Sequence, residues 1–214
     1  MMKYTILFDL DGTLTDSGEG IINCAYLALN HFHIPLPSRE EMRVMVGPPL
    51  RDSFLRFGVA PENVEEAIEI YRKRYVPIGM FENTPYPGIS AMLASLKSSG
   101  HKLYVATSKP ESMAVEILKK FQLTGYFDKI YGASMDESRD SKDKVIAYLL
   151  RELTDENPVI MIGDTMYDVT GAAANGIQTI GVTWGYGKKE DIVQAGAIAT
   201  VDSPAQLIEY FEGH

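Results

Sequence analysis

Short apolar segments rich in β-forming residues alternate with helical patterns along most of this chain, and that alternation limits the folds open to it. Strong segments lie at residues 4–8, 102–106, 158–162 and 178–183, and weaker ones at 127–131 and 197–201. Pro110 suits the first turn of one intervening helix, and Ser203 followed by Pro204 suits the start of another. Strands that alternate with helices form parallel sheets covered on both faces. We therefore predict an α/β fold with a Rossmann-like, doubly wound parallel sheet.

One region interrupts the alternation. Residues 16–83 contain no convincing strand but several helical stretches, one beginning at a capping-box sequence from Ser38 to Glu41 and another covering 61–75. The run Arg72-Lys73-Arg74 in the second stretch is typical of a solvated helix face. We predict a sheet domain formed by residues 1–15 and 84–214, interrupted by an inserted α-helical domain at 16–83.

The composition of the chain limits the kinds of partner that it can bind. The formal net charge of -9 argues against nucleic-acid polymers, which require clustered Lys and Arg, and disfavours an anionic membrane surface. No apolar stretch is long enough to span a bilayer, no signal-peptide pattern is visible at the start, and the single cysteine, Cys24, allows no internal disulfide. These features predict a cytoplasmic protein. An anionic small ligand would need local positive charge to bind such an acidic chain.

Carboxylates follow two of the predicted strands. Asp9 and Asp11 follow the first, and Asp164 and Asp168 follow the segment at 158–162. Ligands bind beyond the carboxyl ends of parallel strands, so the four side chains are expected at one edge of the sheet. Taken alone, each pair could be either a functional site or simply one helix-capping acid and one solvated acid. Together they need a cation, and oxygen ligands without clustered His or Cys favour Mg²⁺.

Groups suited to binding an anion occupy two further places. Thr107 and Ser108 follow the segment at 102–106 and precede a helix, where they serve either an anion site or simple capping. Lys142 and Lys144 begin an amphipathic helical pattern, and a lone lysine in that position is usually solvated.

Taken in order, these motifs resemble those of the haloacid dehalogenase-like hydrolases, and the resemblance covers essentially the whole chain. The helical insert is similar to that family's small cap. Within the family, the chain is most similar to the phosphoglycolate phosphatase and bacterial 5′-nucleotidase-like branch. The motifs that carry the family resemblance are Asp9-Leu10-Asp11-Gly12-Thr13, Thr107, Lys142 and Gly163-Asp164-Thr165-Met166-Tyr167-Asp168. Those that carry the branch are Gly47-Pro48-Pro49-Leu50, Ala106-Thr107-Ser108-Lys109-Pro110 and Trp184-Gly185-Tyr186-Gly187.

The resemblance implies a Mg²⁺-dependent phosphatase that acts on a small phosphorylated metabolite. Asp9 would be the nucleophile and form an aspartyl-phosphate, and Asp11 would be the general acid and base. Mg²⁺ would be held by Asp9, the Asp11 backbone carbonyl and Asp164, with Asp168 holding a ligand nearby.

In the same resemblance, Thr107, Ser108 and Lys142 would bind the phosphate. Many relatives have Lys followed by Pro in the third motif. Here Asp143 follows Lys142, so Lys144 stays an alternative for the site lysine.

Other functions remain open at the level of sequence. A β-phosphoglucomutase-like phosphomutase would share Asp9 and Asp11, whereas a dehalogenase would lack the second acid. A non-catalytic domain that senses phosphate or binds a partner would be expected to have lost at least one of these residues. Phosphoglycolate and nucleoside 5′-monophosphates are the favoured substrates, with pyrophosphate and sugar phosphates also open. The chain is expected to be a monomer or small homo-oligomer.

Overall fold

The structure, a computed structural model, describes residues 2–136, 138–154 and 156–213. The chain divides into two compact units, Met1–Thr15 with Pro85–His214, and Asp16–Thr84.

The strands are β1 Thr5–Phe8, β2 Thr15–Asp16, β3 Thr84–Pro85, β4 Lys102–Pro110, β5 Lys129–Ala133, β6 Val159–Gly163, β7 Gln178–Val182 and β8 Ala199–Val201. The α-helices are α1 Gly18–His31, α2 Leu50–Arg56, α3 Val64–Tyr75, α4 Ile89–Ser98, α5 Glu111–Lys120, α6 Lys142–Glu152, α7 Met166–Ala173, α8 Lys189–Gln194 and α9 Pro204–Glu212. Among the described residues, no helix is both long enough and apolar enough to cross a membrane.

The larger unit is built on a six-stranded sheet. Its strand order is β5-β4-β1-β6-β7-β8, and neighbouring strands run parallel. Counted along this sheet alone, the order is the 3-2-1-4-5-6 arrangement of doubly wound Rossmann-like folds. The predicted fold class is confirmed.

Burial explains why β1 takes the central place in this sheet. All four of its residues are buried, and Phe8 is in register with Val105 of β4 on one side and Ile162 of β6 on the other. On one face of the sheet a buried core joins Leu7 of β1 to side chains of neighbouring strands and of α6 and α7. A strand covered on both faces is expected to read as an unbroken apolar run, as Ile6 to Phe8 do here.

Strand β4 extends further than its apolar run predicts. It continues through Thr107 and Ser108 to Pro110, with a shift in its register against β5 between Ala106 and Pro110. Helix α5 consequently begins at Glu111, and Pro110 is the residue before it rather than part of its first turn. The polar residues after Ala106 therefore lie on extended chain at the sheet's edge.

In the smaller unit the capping-box residues pair, but the helix they begin is not α-helical. The Ser38 backbone N–H and hydroxyl donate to Oε2 of Glu41, at 2.8 and 2.7 Å. The next element along the chain, Glu41–Met45, is a 3-10 helix. The second predicted helix also starts as a 3-10 turn, Pro61–Asn63, before α3 begins at Val64.

Arg74 corrects the expectation of a fully solvated basic face on α3. Arg72 and Lys73 are exposed, but the Arg74 guanidinium donates to both carboxylate oxygens of Glu82, each at 2.7 Å. It also lies 3.3 Å from Sγ of the buried Cys24. Burial raises the pKa of the Cys24 thiol, which therefore stays protonated. Arg74 thus ties α3 to α1 and to the end of the unit.

Candidate active site

The strand order brings the two acidic motifs together at the carboxyl ends of the strands in the larger unit. Strands β1 and β6 are neighbours, with Phe8 opposite Ile162, so the residues after them emerge side by side. The Asp9 N–H donates to the carbonyl of Ile162 at 2.9 Å and continues this pairing. Helix α7 begins at Met166, between Asp164 and Asp168. Carboxylates distant in the sequence thereby share one site.

Three of these side chains form an acidic cluster, which we define as Asp9, Asp164 and Asp168. One carboxylate oxygen from each residue lies within 4.8 Å of those from the other two. All three residues are buried, and Asp164 and Asp168 have no exposed surface. Burying three carboxylates this close together is unfavourable unless positive charge joins them.

Lys142 supplies part of that charge. Its ammonium lies 2.7 Å from Oδ1 of Asp9 and 2.8 Å from Oδ1 of Asp168, and it donates to the Ala106 carbonyl at 2.9 Å. Lys144, by contrast, is exposed and paired with Asp140 on the surface of α6. The structure therefore brings Lys142, and not Lys144, to the acidic cluster.

The electrostatics of the cluster arise from burial and from the excess of acid over base. Burial raises the pKa of Asp9 to about 6, where Lys142 acts to lower it and Asp168 to raise it. Burial also raises the pKa of Asp164 well above its usual value, with repulsion from Asp168 and Asp9 in the same direction. Burial disfavours the charged form of Lys142, but Asp168 and Asp9 outweigh this effect and raise its pKa. One ammonium therefore does not balance three carboxylates.

This donor set fits a divalent cation. Its ligands are carboxylate oxygens, the type that Mg²⁺ prefers, and the described residues within the cluster include no thiolate or imidazole. Of the three carboxylates, that of Asp168 makes the most contacts within the protein. Its Oδ2 accepts from the Thr165 N–H and hydroxyl, and its Oδ1 faces Lys142. Asp9 and Asp164 therefore retain more capacity for a metal than Asp168 does.

Asp11 has a partner that the sequence did not reveal. The ammonium of Lys109 lies 2.6 Å from Oδ2 of Asp11, and both side chains are largely buried. Lys109 belongs to a branch motif, but the motif by itself indicates no role for it. Its position directly after Thr107 and Ser108, at the end of a strand beside β1, is the signal that could have identified it.

The two hydroxyl residues differ in their surroundings. Thr107 is almost fully buried, and its Oγ1 accepts from the Lys109 N–H at 3.2 Å. Ser108 is half-buried on the same extended segment. Both lie on the strand next to β1, so the predicted phosphate-binding residues and the acidic cluster occupy the same edge of the sheet.

The turn after Asp11 depends on glycine. Gly12 has φ of +85°, a left-handed conformation that glycine adopts without strain. A Cβ atom at this position would overlap the Asp164 carboxylate. Next to it, the Thr13 hydroxyl lies 3.3 Å from Oδ1 of Asp164 and completes the contact between the two motifs.

Comparison with known proteins agrees with this architecture. Residues 6–182 match the haloacid dehalogenase-like hydrolase family, and the chain belongs to that family. A solved structure of a predicted phosphatase from Clostridium acetobutylicum superposes on it with a TM-score of 0.92, at 42% identity and over 100% of both chains.

Named relatives carry more than one activity. A tyrosine-protein kinase PtkA from Mycobacterium tuberculosis is 44% identical over 208 residues, covering 97% of this chain and 71% of the relative. A 5′-nucleotidase from Pseudomonas aeruginosa is 40% identical over 194 residues, covering 89% and 88%. A phosphoglycolate phosphatase from Aquifex aeolicus is 31% identical over 212 residues, covering 98% and 97%. These comparisons confirm the predicted family and branch. They also confirm the predicted enzyme class, a phosphatase.

Proposed function

We propose that this protein is a Mg²⁺-dependent phosphatase that hydrolyses a small phosphomonoester through an aspartyl-phosphate on Asp9. The observation that carries the proposal is the excess of buried carboxylate around one lysine. Asp9 and Asp168 share Lys142, and Asp164 lies in the same cluster, so the buried carboxylates outnumber the ammonium and a bound cation would offset the remaining negative charge. Phosphoryl transfer depends mainly on positioning and charge stabilisation, which such a site supplies.

In this proposal a carboxylate oxygen of Asp9 attacks phosphorus, and the bond from phosphorus to the leaving oxygen breaks. Asp11 gives its proton to that oxygen, and an alcohol leaves. Asp11 then takes a proton from water as the water attacks the aspartyl-phosphate, which releases inorganic phosphate and restores Asp9. Lys109 holds the Asp11 carboxylate at the site and acts as a positioning residue in both halves.

The phosphate oxygens are assigned to Thr107, Ser108 and Lys142. We assign the cation to Asp9, the Asp11 backbone carbonyl and Asp164, with Asp168 holding Lys142 in place. When bound, Mg²⁺ would neutralise charge on the phosphate and on the nucleophile. The helical unit Asp16–Thr84 is assigned the part of a cap that excludes water during the transfer.

Two substrate classes are favoured. Relatives named 5′-nucleotidase and phosphoglycolate phosphatase support a nucleoside 5′-monophosphate and phosphoglycolate respectively. Both carry a phosphoryl group on a small anionic or polar alcohol, which suits a site whose local cations are Lys142 and Lys109. A phosphomutase would use the same nucleophile but release no inorganic phosphate.

The relative named a tyrosine-protein kinase supports a second candidate, transfer of a phosphoryl group to a protein tyrosine. In that reaction a tyrosine hydroxyl, rather than water, would be the final acceptor. Label from the terminal phosphate of ATP would then appear on a tyrosine-containing polypeptide. Label found only in inorganic phosphate would favour hydrolysis.

The test is phosphate release from a panel of phosphomonoesters that includes nucleoside 5′-monophosphates and phosphoglycolate, first with Mg²⁺ and then with EDTA. We expect release that requires the cation and is abolished in Asp9→Asn. The matched control is Asp191→Asn, which makes the same change on the exposed surface of α8 and should retain wild-type turnover.

Two outcomes would contradict the proposal. Near-normal turnover by Asp9→Asn, with deamidation back to Asp excluded by mass spectrometry, would rule out the nucleophile. Turnover unaffected by EDTA would rule out the dependence on a cation. If no substrate released phosphate, hexose phosphates with a bisphosphate activator would test the mutase alternative.

A further inference from the structure

A short segment after β7 folds back onto the acidic cluster. Residues 184–187, which we call the 184–187 segment, have the sequence Trp-Gly-Tyr-Gly and come shortly after the end of β7 at Val182. The Tyr186 N–H donates to Oδ2 of Asp164 at 2.8 Å. A backbone donor, rather than a side chain, therefore fixes one oxygen of this carboxylate.

The same segment is anchored to the turn after β1. The indole Nε1–H of Trp184 donates to the Thr13 carbonyl at 3.0 Å, and the Thr13 hydroxyl lies 3.3 Å from the other oxygen of Asp164. The Asp164 carboxylate is thus held from two sides by groups that are themselves linked. Each carboxylate oxygen still has a lone pair that these contacts do not use.

The approach is close enough to require both glycines of the segment. A Cβ atom at Gly185 would overlap the Asp164 carboxylate and the Gly12 carbonyl, and one at Gly187 would overlap the Asp164 carbonyl. Backbone packed this tightly against a buried carboxylate leaves the side chain little freedom to rotate. The arrangement is the kind of outer contact that orients metal ligands and tunes their affinity.

We propose that the 184–187 segment is a positioning element that fixes Asp164 for a divalent cation, so that cation affinity depends on residues that do not themselves bind the ion. This inference rests on the proposed function, because it takes Asp164 as a metal ligand. In this proposal the geometry of the cation site depends on the segment after β7 as well as on the residues that follow β1 and β6.

The experiment measures the binding of Mn²⁺ to the full chain by electron paramagnetic resonance, without substrate. Mg²⁺ is then added as a competitor. We expect Gly185→Ala to weaken Mn²⁺ binding about tenfold or more. The matched control is Gly125→Ala, because a Cβ there meets no atom within 4 Å, and its affinity should equal that of the wild type. Unfolding followed in EDTA separates a loss of affinity from a loss of fold.

A second variant keeps the test decisive if Gly185→Ala does not fold. Trp184→Phe retains an aromatic side chain but removes the indole N–H that donates to Thr13, and it should weaken Mn²⁺ binding about twofold to tenfold, the range of one neutral hydrogen bond. Wild-type affinity in a folded Gly185→Ala, or in Trp184→Phe if the first variant is unfolded, would overturn the inference.

Asp164→Asn separates this inference from the proposed function. If Asp164→Asn loses Mn²⁺ binding while the folded segment variants retain it, the positioning role alone is wrong. If Asp164→Asn binds Mn²⁺ as the wild type does, the metal assignment in the proposed function is wrong, and the inference falls with it.

Discussion

The ammonium of Lys109 lies 2.6 Å from Oδ2 of Asp11. Lys109 lies near the end of β4, and Asp11 lies in the turn that follows the neighbouring strand β1. Because Asp11 is the proposed general acid and base, removing this cation should disturb its placement. We expect Lys109→Met to lower kcat about tenfold or more with little change in KM, and Asp11→Asn to lower it about 100-fold or more.

Steady-state kinetics on the substrate found in the panel would measure both effects. Lys144→Met is the control, since it removes the same charge from an exposed pair. An unchanged kcat in Lys109→Met would mean that Asp11 is positioned without it.

The second prediction concerns the stability of the metal-free protein. Lys142→Met removes the cation that Asp9 and Asp168 share inside the protein. Breaking a buried charge pair on one side costs about 3–5 kcal/mol, whereas an exposed pair is worth about 0–1 kcal/mol. Urea unfolding in EDTA should therefore show a large loss for Lys142→Met and a small one for Lys144→Met. Equal losses would contradict the placement of Lys142 in the acidic cluster.

The third prediction tests the charged contact in the helical unit. Glu82 accepts two hydrogen bonds from Arg74, which lower the pKa of Glu82. Glu82→Gln should reduce the free energy of unfolding by about 1.5–3 kcal/mol, the range for hydrogen bonds to charged groups. Glu65→Gln changes an exposed pair with Arg51 in the same unit and should have little effect. Equal effects of the two substitutions in denaturant titrations would contradict a special role for Arg74.

The fourth prediction concerns pH. His101 is buried, and its Nδ1 accepts the Tyr4 N–H at 3.1 Å, which requires an unprotonated nitrogen. Burial, aided by the charge of Lys3, lowers the pKa of His101 from 6.5. A lowered pKa in the folded state means that this stability is present above pH 6.5 and is lost as the pH falls through the folded value.

His101→Asn keeps an acceptor but cannot titrate, so its stability should fall less steeply with acid, by up to about 1.4 kcal/mol per pH unit. Thermal or urea unfolding between about pH 5 and 7 would measure the difference in slope. His33→Asn makes the same substitution at an exposed position and should retain the wild-type slope. Identical slopes for wild type and His101→Asn would contradict the prediction.

The fold was predictable from sequence because buried strands appear as short apolar runs with clearly marked ends. The apolar run before Asp9 and the run before Asp164 each end where a polar residue leaves the sheet, and parallel pairing brings such ends together. The order of strands β4, β1 and β6 does not follow from these runs and comes from the structure.

Contacts between side chains far apart in the sequence were beyond that reasoning. Neither the pairing of Lys109 with Asp11 nor the hydrogen bond from Tyr186 to Asp164 can be read from period or spacing, since each depends on the register of strands and on local backbone direction. The same holds for Arg74, which looked like its solvated neighbours Arg72 and Lys73. The capping-box sequence at Ser38 formed its bonds but began a 3-10 helix, because local capping determines where a helix starts and not which type of helix forms.

The central position of β1 has a consequence for biosynthesis. Its two partners in the sheet, β4 and β6, are translated long after it, and β6 ends only at Gly163. At about 5–20 residues per second, the apolar residues Ile6, Leu7 and Phe8 wait on the order of ten seconds or more for their second neighbour. During that time at least one side of the strand lacks its partner, and the carboxylates beyond it are not yet close together. Because Asp164, Asp168 and the 184–187 segment all follow β6, the site can assemble only when most of the chain has been synthesised.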